Sequence, residues 1–235
     1  MMHFIEHIIE PTELFLAWQS LDENNRTRYI VAKLAGIGEE INLTYLRDTK
    51  DFQEAQNLGF EGYPAFHNIN EIHHNVLDAF MRRLPPRKRG DFPQYLEGLR
   101  LKPDVEISNF ALLGYSGARL PSDGFSIIHP FNNVKGPCEL LLEAAAYRHT
   151  LEEHNFEVQI GNQAIFCKEF YEPRKEEAIY IQVNERRIGW VTRGLRDTFN
   201  NWINTNRITE AWVEKKNGQP GKPMLFLYVK VSSLK

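Results

Sequence analysis

The stretch at residues 172–191, EPRKEEAIYIQVNERRIGWV, constrains the fold of this chain more than any other. Ile179, Ile181 and Val183 alternate with Tyr180 and Gln182, which predicts a strand over residues 178–183. Its aliphatic side chains face a core, and Tyr180 and Gln182 face outward. Asn184-Glu185 reads as a tight turn, and residues 186–191 as the return strand. Simple alternation puts Arg186, Ile188 and Trp190 on one face of that strand and Arg187 and Gly189 on the other. After a basic Arg193, helix-forming residues run from Gly194 to Asn204. A charged loop, a hairpin and a helix in that order demand a small sheet with one buried face.

At 235 residues the chain suits one large domain or two small ones, each able to bury a core. A composition of 42% hydrophobic and 25% charged residues is that of a globular protein. No apolar run approaches the roughly 20 residues of a membrane span, so no membrane association is expected. The first ten residues mix acids and histidines with apolar side chains, unlike a signal peptide. Cys138 and Cys167 form neither a disulfide framework nor a metal-ligand spacing, and a cytoplasmic location is the expectation. A net charge of −3 excludes a protein that coats nucleic acid by bulk charge. Residues 1–137 carry 14 Lys and Arg against 18 Asp and Glu, and residues 138–235 carry 14 against 13. Any nucleic-acid contact in the second part is therefore a local patch.

The first part mixes strand and helix signals. Strands are predicted at 14–18 and 28–34 around a polar turn at 22–26, with a third at 41–46. Helices follow at 51–57, 75–82, 93–99 and 106–113, the third opened by Asp91 with Pro93 in its first turn. Residues 125–129 return as a strand. The second part is mostly β, with strands at 139–142, 157–160, 165–170, 178–183, 186–191, 208–213 and 224–231, and a loop at 217–223. The expected fold class is α+β. A small N-terminal sheet with helices spans 1–131, and a small β-barrel of the OB or SH3 kind, with one inserted helix, spans 138–235. The turn-rich segment 131–137 separates them.

Single-strand binders need cations against phosphate and flat side chains on which bases stack. Arg148, His149, Arg174, Lys175, Tyr180, Arg186, Arg187, Trp190 and Arg193 supply those types. The same residues also fit a solvated strand edge, with Trp190 in the core. The densest basic run holds Arg82, Arg83, Arg87, Lys88 and Arg89. It is either a secondary patch for phosphate or an acidic partner, or a solvated loop after a helix. His67, His73 and His74 lack a metal-ligand spacing, and Asp123 reads as a turn or cap residue. The sequence shows no phosphate-cradling Gly-rich loop, nucleophile elbow or His-Glu-x-x-His helix. The expectation is a non-enzymatic protein without cofactor or metal.

The hairpin-then-helix pattern resembles the centre of the HIRAN domain, a small β-barrel module associated with nucleic-acid ends. Over most of its length the chain is similar to bacterial HIRAN-domain-containing proteins. The matching segments include Phe15-Leu-Ala-Trp-Gln19, Tyr29-Ile-Val-Ala-Lys-Leu34, Gly62-Tyr-Pro-Ala-Phe66 and Gly114-Tyr-Ser-Gly-Ala-Arg119. The first half also resembles the small N-terminal subdomain of HipA-type toxin kinases, without their kinase domain. The resemblance implies an early strand with an Arg followed by aromatics, matched by Tyr147-Arg148-His149. It also implies an Asn-Pro-x-Asp-x-x-Ala loop, matched by Glu172-Pro-Arg-Lys-Glu-Glu-Ala178, and the two together grip the 3′ end of a single strand. Lys175 stands where that pattern has a carboxylate, and Glu172 where it has Asn. The resulting expectation is a module for single-stranded DNA or DNA ends that uses Arg148, His149, Arg174, Lys175, Arg187 and Trp190. The implied setting is DNA repair, mobile elements or phage defence. The competing expectation is a protein-interaction module that docks a toxin, antitoxin or nuclease through the HipA-like half, with a structural barrel.

Overall fold

The computed structural model describes residues 2–22, 27–120, 123–154, 158–172, 175–219 and 221–234. The chain divides into two compact units, Ile9–Phe131 and a second made of Met1–Ile8 with Asn132–Lys235. The first eight residues thus pack with the second unit, although they precede the first in sequence. Buried polar groups hold them there. Glu139 accepts from the amides of Glu6 and His7 at 3.1 and 3.0 Å, the Tyr228 hydroxyl donates to Phe4 O at 2.5 Å, and Ile5 is buried. His3 Nδ1 lies 3.0 Å from Glu214, whose carboxylate also accepts from the Trp212 indole at 2.8 Å. No helix among the described residues is long and apolar enough to cross a membrane.

The unit 9–131 is built on a four-stranded antiparallel sheet. Strands β1 (Glu13–Gln19), β2 (Arg28–Ile37), β3 (Glu40–Tyr45) and β4 (Phe125–Ile128) lie in the order β3-β2-β1-β4. The turn expected at 22–26 lies outside the described residues from Glu23 onward. Helix α1 (Lys50–Asn57) starts where the Thr49 hydroxyl accepts from Phe52 N. Helices α2 (Leu77–Met81), α3 (Phe92–Gly98) and α4 (Asn109–Ser116) follow. The last begins three residues later than predicted because Ser108 caps it, accepting from Ala111 N at 2.9 Å, while Glu10 holds Ser108 in turn. Phe60, Tyr63 and Phe80 are buried in an aromatic cluster with Phe125, which carries much of this core.

His129 seals the end of β4. Its Nε2–H donates to Ile9 O at 3.0 Å, its Nδ1 accepts from Phe131 N at 2.9 Å, and its ring stacks on Phe131 with centroids 3.8 Å apart. Burial pushes its pKa down to about 4, against a smaller upward effect of the Ile9 carbonyl. The unfolded chain therefore takes up this proton first as pH falls. The stability that neutral His129 contributes is complete above the unfolded pKa near 6.5 and is lost as pH drops toward 4. The unfolding free energy of this unit should fall across that window at a slope on the order of 1 kcal/mol per pH unit, with His129→Gln flattening it. An unchanged slope in the variant would assign the acid sensitivity to other groups.

The second unit contains two three-stranded antiparallel sheets. Strands β5 (Cys138–Glu143), β9 (Ile208–Gln219) and β10 (Lys222–Val231) are ordered β5-β10-β9, and β6 (Ala164–Tyr171), β7 (Glu176–Val183) and β8 (Arg186–Trp190) are ordered β6-β7-β8. Isolated bridges join them at two places, Ala145 to Trp190 and Gln163 to Trp212. Helix α5 (Tyr147–His154) follows β5, and a 3-10 turn (Arg193–Leu195) leads into α6 (Arg196–Asn204), which buries Phe199 and Trp202. The fold class is thus α+β, with three small antiparallel sheets and few helices.

Of the strand predicted at 157–160, Glu157 lies outside the described residues. Residues 158–159 have no regular structure and Ile160-Gly161 turn the chain instead, closed by Asn162 N to Gln159 O at 3.1 Å and by Gln159 N to the Asn162 side chain at 2.8 Å. The loop predicted at 217–223 is largely strand, because β9 and β10 stay paired out to Gln219 and Lys222.

The Asn184-Glu185 turn forms as read, with φ of 47° and 64°. Both values suit a type I′ hairpin turn, in which Glu at the second position is strained. Glu185→Gly should therefore stabilise this unit by ~0.5–1 kcal/mol. The check is a higher urea midpoint with an unchanged denaturant slope. A lower midpoint would contradict the turn assignment.

Candidate functional site

The β7–β8 hairpin carries a bulge that changes its faces. Gln182 pairs with Arg187 and Ile181 with Gly189, so Ile188 is the extra residue. Beyond the bulge Tyr180 pairs with Trp190. Arg187 and Trp190 therefore share the face opposite Ile179, Ile181 and Val183, which corrects the alternation expected from sequence. The bulge depends on Gly189, whose φ is 152°. A Cβ there would lie 2.7 Å from Ala145 O, the group that accepts from Trp190 N. Trp190 is half-buried on this outer face, not a core residue.

A compact aromatic and cationic surface results. Arg187 Cζ lies 4.4 Å from the Tyr180 ring centroid and 4.5 Å from that of Trp190. Trp190 also meets Tyr171 edge-on at 5.2 Å and Tyr180 at 6.4 Å. Arg187 donates to the Glu169 carboxylate from β6, and the two side chains are 38% and 23% exposed. The guanidinium thus lies within cation–π distance of two rings, with its carboxylate partner reachable by solvent.

A second ionic cluster lies on the same sheet, at the start of β7. Glu176 is the cross-strand partner of Tyr171. Its carboxylate accepts from Arg193 at 3.0 and 3.2 Å and lies 3.0 Å from Arg196 Nη1. Burial would raise the Glu176 carboxyl. The Arg196 hydrogen bond and the charges of Arg193 and Arg196 outweigh it and hold the pKa below the usual carboxylate range.

The remaining expected residues scatter. Arg148 and His149 lie in the first turn of α5, not on an early strand. Ala146, at φ 61°, turns the chain after the Ala145–Trp190 bridge, and Thr150 N bonds back to Ala146 O. Tyr147 is buried, Arg148 half-buried and His149 exposed. Arg174 lies outside the described residues. Lys175 is exposed at φ 51°, its amide bonded to Glu172 O at 3.1 Å.

The basic run in the unit 9–131 divides. Arg83 is 7% exposed and cannot serve a surface patch. It forks onto Asp123 at 2.8 and 2.8 Å and donates to the carbonyls of Ala118 and Phe125 at 2.7 and 3.0 Å. Asp123 also accepts from Phe125 N at 3.1 Å, so the residue read as a turn former also neutralises a buried cation. Arg87 donates to Asn109 and Ile107, and Arg89 to Asp91. Arg82 and Lys88 are exposed. His73 and His74 bond to Asn68 O and Asn42 at 2.9 and 3.0 Å, and no three His, Cys, Asp or Glu side chains among the described residues are grouped to hold a metal ion.

Tyr171, Glu169 and Arg196 escaped sequence reading. The register of the hairpin places Tyr171 opposite Glu176 and was the only available signal for it. A groove of about 330 Å³ opens elsewhere in this unit, between Gln163–Phe166 of the β6 side, Trp202 and Ile203 of α6, and Ile208–Ala211 of β9. No cation among the described residues lines it, so it does not suit phosphate. Comparison of the chain with models of protein families, with curated proteins and with solved structures finds no match in any of the three.

Proposed function

We propose that this protein is a nucleic-acid-binding module whose contact surface is the outer face of the β6-β7-β8 sheet. Within that class, the reading is of single-stranded DNA, with bases stacked on Trp190, Tyr171 and Tyr180 and Arg187 against the phosphates. The observation that carries it is Arg187 packed against the Tyr180 and Trp190 rings on an accessible face that the bulge creates. Flat π-surfaces and a fixed guanidinium side by side are what a strand without sequence preference requires. The Ala145–Trp190 and Gln163–Trp212 bridges support a closed barrel in the order β5-β10-β9-β6-β7-β8, returning to β5. The resemblance of the hairpin and helix to HIRAN domains supports the same reading, and with it recognition of strand ends in DNA repair, mobile elements or phage defence.

Anisotropy titration of a short fluorescent oligothymidine tests this. Binding should weaken as salt rises, and Trp190→Ala should weaken it by roughly 5- to 150-fold, the equivalent of one lost stack of about 1–3 kcal/mol. Blocking the 3′ end reports on end recognition. No binding of wild type at low salt would overturn the reading in favour of protein docking.

A further inference from the structure

Building on the strand-binding reading above, we infer that the Glu169 carboxylate makes one position of that surface selective for guanine. It accepts from N1–H and N2–H on the Watson–Crick edge of a base stacked beside it.

Three observations point to this chemistry. Register places Glu169 on the binding face. Cys167 pairs with Tyr180 and Tyr171 with Glu176, so Cys167, Glu169 and Tyr171 alternate onto the side of β6 that Tyr180 occupies on β7. Solvent also reaches the Glu169 side chain, which is 23% exposed, next to the guanidinium that packs on the Tyr180 and Trp190 rings. Its capacity as an acceptor is largely open. A carboxylate has about four lone-pair sites. Among the described residues Glu169 meets one donor, Arg187 Nη2, through a single oxygen, Oε2. Arg187 uses one nitrogen for that contact and keeps its other donors for phosphate.

A carboxylate on a strand-binding face works against backbone phosphate, so its favourable contacts lie with base donors. Guanine presents two adjacent donors on one edge, and these meet the two oxygens of a carboxylate as a parallel pair of hydrogen bonds. Adenine and cytosine offer one exocyclic amine there. Thymine offers one ring N–H between two carbonyl oxygens, which a carboxylate repels. The spacing suits a purine. Tyr171 and Glu169 are two residues apart on β6, about 6.8 Å along the strand. A base stacked on the Tyr171 ring can therefore bring its edge to Glu169, while Arg187 holds the carboxylate in place.

The full chain is titrated with short labelled oligothymidines, either unmodified or with one central thymine replaced by guanine or by hypoxanthine. The guanine strand should bind about 5-fold tighter than the unmodified one, or more. Hypoxanthine keeps N1–H and lacks the 2-amino group, so its strand should fall between them. Glu169→Gln should remove most of the difference while all-thymine binding is retained or tightened, since an anion has left the face. A misfolded variant cannot keep that affinity. If Glu169 only braces Arg187, the variant weakens all three strands by one factor, and this inference is overturned. Equal affinity of wild type for the three strands, or a guanine preference undiminished in Glu169→Gln, would also overturn it and leave strand binding intact. If no strand binds at low salt, both proposals fall.

Discussion

Arg207→Met is expected to lower the unfolding free energy of the 132–235 unit by about 3–5 kcal/mol. Arg207 is 3% exposed, and its guanidinium faces carbonyls. It donates to Ser232 O at 2.8 Å, Val134 O at 2.6 Å and Gly136 O at 2.9 Å, with a longer contact to Lys135 O at 3.4 Å. One side chain thus ties the entry of the unit at 134–136 to its exit at Ser232. Backbone bonds from Arg207 N to Trp202 O and from Ser232 N to Arg207 O hold it at the end of α6. Methionine fills much of the volume but takes the donor from each of those carbonyls, at about 1–3 kcal/mol for any that water does not reach. Arg207→Lys should recover only part, because an ammonium cannot fork across carbonyls spread over two segments. Urea unfolding followed by circular dichroism reads the effect, and a loss below about 1 kcal/mol would show that these carbonyls are solvated.

Gly189→Ala is expected to cost about 2–4 kcal/mol and to weaken strand binding as well. Two penalties combine at this position. A φ of 152° is strained for any residue with a Cβ, and that Cβ would meet Ala145 O at 2.7 Å and the Ala144 side chain at 3.2 Å. Relief requires β8 to move away from Ala145, which opens the reciprocal Ala145–Trp190 hydrogen bonds, both 2.9 Å. Trp190 would then lose the backbone support that orients its ring toward Arg187. The joint signature is the test. Lower stability with unchanged oligothymidine affinity would separate the bulge from the binding surface.

The hairpin was legible in sequence because alternation and an Asn-led turn are local signals. Ile179, Ile181 and Val183 are buried as read, and Tyr180 and Gln182 are half-exposed. The bulge was not legible, since an extra residue in one strand is defined only by its partner's register. It reversed the relation between Arg187 and Trp190. Helix α5 was missed because the tertiary bridge at Ala145 and the left-handed turn at Ala146 decide where it begins. The fates of Arg83 and Arg207 were equally hidden. A buried arginine held by Asp123 or by carbonyls 71 to 73 residues away looks, in sequence, like any surface cation. Residues that act through long-range partners carry no local mark, and the candidate site depends on several of them.

The most direct test of the binding surface is the indole N–H NMR spectrum during titration with short oligothymidine. The chain has four tryptophans, in distinct surroundings. Trp202 is buried against Phe199, Trp212 donates to Glu214, and Trp18 packs on Phe60 in the other unit. Trp190 alone lies on the aromatic face beside Arg187. A saturable shift of the Trp190 signal, lost in Arg187→Ala, is expected, while the other three stay nearly still. A Trp190 signal that does not move while strand is bound would contradict it.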